Sequence, residues 1–182
     1  MKSLLIVITG LSCLMAGCSN NSPDTAKTDT DSVATAMSSS KTDQVEKNKQ
    51  TALDAVQGVI SHNPSDVFKN ATPDIADYGD GIMPPVKGLD SCKAFFQIFL
   101  AAFPDIKGEN LMAISEGNHV AVFGDWSGTF KGDMMGIKAT GKSFKMKDVD
   151  LFTFNDEGKI TEHRAKQTAD YMLSLVGAKM KK

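Results

Sequence analysis

An α+β fold, with helices first and an antiparallel sheet after them, is what this 182-residue sequence predicts, and two features of its patterning predict it. Apolar residues recur at helical spacing as far as Pro104, and beyond it they alternate with period two. Glycine-bearing turns divide the alternating part into consecutive strands, so the strands read as a meander. Helices and strands segregated along a chain indicate α+β rather than βαβ units. If the long strands curl, sheet and helices enclose a conical cavity.

The first residues stand outside this fold. Met1 and Lys2 followed by the apolar run Leu4 to Ala16 make a signal-peptide core, too short to cross a bilayer as a mature helix. The run ends Leu14-Met15-Ala16-Gly17-Cys18, which resembles the lipobox of bacterial lipoproteins; Met15 stands where leucine is usual, with Leu14 one place further back. The resemblance implies a signal peptide over residues 1–17 and lipidation of Cys18. More than one acyl chain on Cys18 would anchor the protein stably to a membrane. Ser19, in place of the aspartate that resembles an inner-membrane retention signal, points to the outer membrane in a Gram-negative envelope. Residues 18–42 are Ser, Thr, Asp, Asn and Lys with few apolar side chains, the composition of a flexible tether. Residues 43–182 remain, about 140, enough for one domain with a proper core.

Within that domain Asp43 and Glu46 read as a capping pair for a first helix carrying Val45, Ala52, Ala55, Val56, Val59 and Ile60. Asn63 caps a short second helix with Pro64 in its first turn. Thr72 to Val86 reads as a loop rich in Pro, Gly and Asp. After Gly88 the spacing of Leu89, Cys92, Phe96, Phe99, Leu100 and Phe103 gives a helix, with Phe95 and Ile98 widening its stripe until Pro104 ends it. The strands come next: Leu111 to Ser115, His119 to Phe130, Lys142 to Phe154 and Lys159 to Thr168, with Asp170 to Val176 as a closing helix.

A formal net charge of −2 and the lack of a basic stripe with interleaved aromatics exclude nucleic acid as a partner. His62, His119 and His163 are scattered without HxxxH or HxH spacing, so no metal site is expected. No phosphate-binding glycine loop or serine nucleophile motif is present, and no cofactor is expected. With Cys13 in the signal and Cys18 lipidated, Cys92 has no disulfide partner and reads as a buried, inert thiol.

The strand Lys142 to Phe154 breaks its own pattern. Phe144, Met146, Asp148, Asp150, Phe152 and Phe154 share one face, so two carboxylates lie among aromatic neighbours. Residues two apart on a strand lie about 7 Å apart, and at an effective dielectric near 20 two charges there repel by roughly 2 kcal/mol. Burial would add to that, leaving one of the pair able to act as an acid. The bland reading is that an aspartate pairs with Arg164 or a lysine. His163 and Arg164, on the next strand, point to opposite faces, and whichever faces inward reaches the aspartates. An inward His163 could shuttle a proton; an inward Arg164 could hold an oxyanion or neutralise an aspartate. Asp125 and Trp126 also face opposite ways, and Trp126, the sole tryptophan, reads as pocket lining or core. Tyr78 and Asp80 belong to the Pro/Gly loop, which could close over the cavity mouth.

Phe103-Pro104-Asp105, Gly128-Thr129, Met135-Gly136, Ala139-Thr140-Gly141-Lys142, Asp150-Leu151-Phe152-Thr153-Phe154 and Gly158-Lys159-Ile160-Thr161-Glu162-His163, in this order, resemble the SnoaL-like polyketide cyclase (ester cyclase) family over Asp43 to Gly177. The family has a cone-shaped, nuclear-transport-factor-two-like fold. The resemblance implies a cavity, a homodimer formed through sheet faces, and ring closure by an aspartate general acid/base without cofactor. Two departures stand out: Arg164 follows the histidine where Trp is common, and Tyr78 stands where many members have His. Two functions are therefore expected of a membrane-tethered domain. One is binding of a small apolar ligand in the cone. The other is cofactor-free cyclase or isomerase chemistry on a carbonyl compound, with Asp148, Asp150 and His163 as catalytic candidates and Tyr78, Asp80, Asp125, Trp126 and Arg164 lining the pocket.

Overall fold

The computed structural model describes residues 30–167 and 169–179, with side chains described from residue 42 onward. The signal segment 1–17 and Cys18 lie outside the described residues, as does the first part of the expected tether. Helix α1 spans Thr30–Ile60, α2 Pro64–Val67, α3 Leu89–Ala102 and α4 Ala169–Leu175; strands β1 to β6 are Ala71–Asp77, Val86–Lys87, Lys107–Glu116, His119–Thr129, Ser143–Phe154 and Ile160–Ala165. One six-stranded sheet has the order β2-β1-β6-β5-β4-β3. The hairpins β3–β4, β4–β5 and β5–β6 are antiparallel, and helices pack on one face, as α+β patterning predicts.

Three differences from the expected elements have identifiable reasons. Helix α1 starts at Thr30 instead of Asp43, so residues 30–42 of the expected tether are helical. Neither Gly nor Pro interrupts the chain from Asp24 to Gln57, and without these breakers a helix can propagate backward from its packed part. Residues 71–77, expected to be loop, form β1, which pairs in parallel with β6. Only its last three residues, Ile75, Ala76 and Asp77, are buried, so its apolar signal was too short to read. Strand β3 begins at Lys107, four residues before its expected start, with a bulge between Glu109 and Met112 that obscures the alternation.

The core lies between the helices and the inner sheet face. Asn48, Ala52, Ala55, Val56 and Val59 give α1 one buried stripe, and Gln44 Nε2 donates to the buried Asn48 Oδ1 at 2.8 Å. Asn63 Oδ1 accepts from the backbone N–H of Ser65, capping α2 as its sequence implies. Gly58 lets α2 lie directly against α1: a Cβ there would stand 2.5 Å from the backbone nitrogen of Val67. From α2 along α3 runs a ladder of rings, Phe68–Phe96–Phe99–Phe103, with centroid separations of 5.2, 6.0 and 5.3 Å. Phe103 ends it against Phe130 and Phe144. Phe68 and Phe103 are buried and Phe96 and Phe99 partly so; fully burying one such side chain stabilises by roughly 1.5–3 kcal/mol, so Phe103 contributes most to holding α3 on the sheet. Cys92 is fully buried and free, its Sγ donating to Val86 O at 3.4 Å. Burial, then the charge of Asp77, pushes its thiol pKa up, away from the thiolate form, and the thiol is buried as expected. Among the described residues no helix is long and apolar enough to cross a membrane.

Candidate functional site

Register builds the site. Asp77 on β1 is paired with His163 on β6, and His163 is paired with Phe152 on β5. Paired residues project to the same side of a sheet, and residues two apart on one strand share a face, so Asp77, His163, Phe152 and Asp150 all point inward. His163 lies between two carboxylates: Nδ1 is 3.2 Å from Asp77 Oδ1 and Nε2 is 3.1 Å from Asp150 Oδ1. The three side chains are only 14, 8 and 15% exposed for His163, Asp77 and Asp150. The Phe152 ring packs against the imidazole at 5.0 Å.

Burial works against a charged imidazole here, but the charge of Asp77 and the hydrogen bonds the ring donates to both carboxylates outweigh it, and the pKa of His163 is pushed up to about 10. The ring is thus an imidazolium at neutral pH, with both N–H groups donating. For Asp77 burial raises the pKa, yet the His163 charge and hydrogen bond, with the Gly79 N–H donating to Oδ1, hold it below the ordinary value. Asp150 spends only one oxygen. Its Oδ2 is buried and has no hydrogen-bond partner among the described residues.

That oxygen belongs to a side chain lining a cavity of about 30 Å³ between the sheet and helices α1 to α3. The other walls are His163, aliphatic groups such as Val56, Val59 and Ile75, and the rings of Phe68, Phe96, Trp126 and Phe152. The space is far narrower than the cone expected from the strand pattern, because these rings fill it. Larger hollows are open surface grooves; one of about 670 Å³ brings together Asp125, Trp126, Lys147 and Tyr171, so Trp126 borders both groove and cavity.

Of the expected site residues, the structure brings together Asp150, His163 and Trp126. Asp148 shares the inward face with Asp150 but is not a wall of the cavity: its Oδ1 accepts the backbone N–H groups of Val149 and Gln167, at 2.7 and 2.8 Å. Burial raises its pKa, the backbone N–H groups of Gln167, Val149 and Lys166 lower it, and the Asp150 charge adds an upward push; the balance is upward. Four others are corrected. Arg164 turns to the outer face, its guanidinium 3.9 Å over the ring of Tyr78 and 3.6 Å from Glu162, so Arg164 and Tyr78 stack on each other instead of lining the cavity. Asp80 folds its own loop, accepting the backbone N–H groups of Ile82 and Ala169, and stays off the cavity. Asp125 also faces outward, bound to Lys147 and Asn110, and borders only the open groove. Nor is His163 placed to shuttle protons freely, since both its nitrogens are committed.

The residue missed is Asp77. Its signal was faint: an acidic residue closing a short apolar pair, Ile75-Ala76, inside a segment dominated by Pro and Gly. Among the described residues no group of three or more His, Cys, Asp and Glu is arranged to hold a metal ion.

A model of the SnoaL-like polyketide cyclase family matches residues 50–173. Among solved structures, AclR of Streptomyces galilaeus, assigned as a hydroxylase, is 27% identical over 73% of this chain and 82% of its own, with a TM-score of 0.60. A Jannaschia sp. CCS1 protein assigned as a SnoaL-like polyketide cyclase is 24% identical over 66% and 84%, with a TM-score of 0.58. A Xanthomonas campestris protein assigned as a polyketide cyclase is 13% identical over 73% and 98%, with a TM-score of 0.65. No curated protein matches the chain.

Proposed function

Since the chain belongs to the SnoaL-like polyketide cyclase family, we propose that it is a lipid-tethered domain whose cavity binds one end of a small, largely apolar molecule at Asp150. The observation that carries this reading is the buried, unpartnered Asp150 Oδ2 of a cavity otherwise walled by carbon and the His163 ring. Leaving a buried acceptor unsatisfied costs about 1–3 kcal/mol, a cost that a ligand bringing a donor would remove. The assignments carried by similar structures, hydroxylase and cyclase, differ in chemistry, so the fold does not choose between them.

The second reading is cofactor-free cyclase or isomerase chemistry, favoured by the same Asp150 Oδ2 acting as base beside the His163 imidazolium. In it Oδ2 would take the proton next to a substrate carbonyl and return it after rearrangement. An enolate needs a donor as its charge develops. Arg164 and Tyr78, expected to supply one, stack together on the opposite face, and both N–H groups of His163 are engaged by carboxylates. Binding is therefore the stronger reading.

Two further parts of the proposal rest on sequence. Lipid on Cys18 would hold the domain at the cell envelope, and the outer sheet face would pair two copies. On that face Met112, Phe123 and Val149 are in register, as are Ile114, Ala121 and Leu151, and Met112 and Ile114 are more than half exposed. Radiolabelled palmitate incorporation that disappears in Cys18→Ser tests the anchor. Binding itself is tested through the fluorescence of Trp126, the sole tryptophan and a wall of the cavity. Small four-carbon compounds should change it saturably, and a flat response to all of them would contradict the reading.

A further inference from the structure

We infer that the cavity selects the ammonium head of a small primary amine. This rests on the proposal that the cavity binds a ligand at all, and it names the chemistry of that ligand.

Three properties of the walls converge. The first is charge. Two carboxylates, Asp77 and Asp150, flank one imidazole ring, and among the described residues no Lys or Arg lines the cavity. A cation entering the cavity is attracted by the carboxylates; a carboxylate or phosphate is repelled by them in a site shielded from water. The second is donor and acceptor logic. As a carboxylate oxygen, the unpartnered Asp150 Oδ2 calls for a partner that donates. A ketone offers no donor, an alcohol offers one without charge, and an ammonium offers three with charge. The third is the nature of the walls. The rings of Phe68, Phe96, Trp126 and Phe152 present π-systems, which attract cations and accept N–H groups weakly.

Size narrows the class. About 30 Å³ is room for a group of about water's size, which admits a primary ammonium and rejects a trimethylammonium. The carbon tail of the amine would then lie toward Phe96 and Trp126, the latter shared with the open groove.

Four compounds with the same tail and different heads test this on the full-length protein in detergent at pH 7: n-butylamine, n-butanol, butanone and butyrate, titrated against Trp126 fluorescence. The expected result is saturable binding of n-butylamine at least tenfold tighter than n-butanol, with butyrate weakest. Asp150→Asn should reduce the amine-to-alcohol ratio below threefold, while Asp148→Asn, which leaves the cavity walls unchanged, keeps it. Should butanone or butyrate bind as tightly as n-butylamine, the amine assignment is overturned and the binding reading stands. If none of the four binds, both fall. The wild-type ratio decides even if Asp150→Asn fails to fold.

Discussion

The two faces of the same strands use similar residues to opposite ends. On the inner face of β1, β6 and β5, Asp77, His163 and Asp150 form an ion array shielded from water. One residue along each of β1 and β6, on the outer face, Tyr78 and Arg164 stack in the open, and further across the sheet Asp125 meets Lys147 at 2.5 Å with the lysine 86% exposed. A period of two is all that separates these settings. Outside, water already solvates each charge and the pair adds little. Inside, each charge depends on its neighbours, so removing one strands the others.

The largest effect should come from breaking the inner array. His163→Gln leaves two buried carboxylates without their cation, and a loss of about 3–5 kcal/mol in urea unfolding is expected. Arg164→Gln, one position along, should cost less than about 1 kcal/mol. Equal losses at the two positions would erase the distinction between faces.

The pH dependence sharpens the same contrast. The folded pKa of His163 is about 10, above its ordinary value of 6.5, so its contribution is complete below about pH 6.5 and is lost as pH rises through about 10. The stability gap between the wild type and His163→Gln should therefore shrink over that window. For Asp77 the folded pKa is lowered, so its contribution is present above its ordinary value of 3.8 and lost as pH falls through the depressed one. Between Arg164→Gln and the wild type the gap should stay nearly flat across the window in which the His163→Gln gap closes.

How far the sequence foretold this site depends on the physics of each part. Alternation along β5 identified the inward aspartates and put His163 and Arg164 on the neighbouring strand, but only the register that pairs Phe152 with His163 decides which of the two faces inward. Which of Asp148 and Asp150 would be functional depended on β6 and the bend after it: the backbone N–H of Gln167 turns toward Asp148, while His163 takes Asp150. A strand-level pattern holds no record of such backbone donors. The parallel pairing that brings Asp77 to His163 spans 86 residues and was hidden by a strand with only three buried positions. The cavity's width was equally illegible, since it depends on how far the Phe68–Phe96 pair reaches across the sheet.

Smaller effects separate neighbours on the inner face itself. Asp148→Asn keeps an oxygen for its two backbone donors and removes an ionisation that burial opposes. Its stability at pH 7 should therefore be unchanged or higher by up to about 1 kcal/mol in urea unfolding. The smallest effect should be at the outer pair. Asp125→Ala and Lys147→Ala, each within water's reach, should unfold at a urea midpoint indistinguishable from that of the wild type.

The central claim is that His163 is a buried imidazolium held by two carboxylates, which leaves one oxygen of Asp150 free for a ligand. A pH titration of its ring nitrogens by ¹⁵N NMR tests this directly. Both nitrogens protonated through neutral pH, with a midpoint near 10, is the predicted result. A midpoint near the ordinary value of 6.5, or a neutral ring at pH 8, would contradict it.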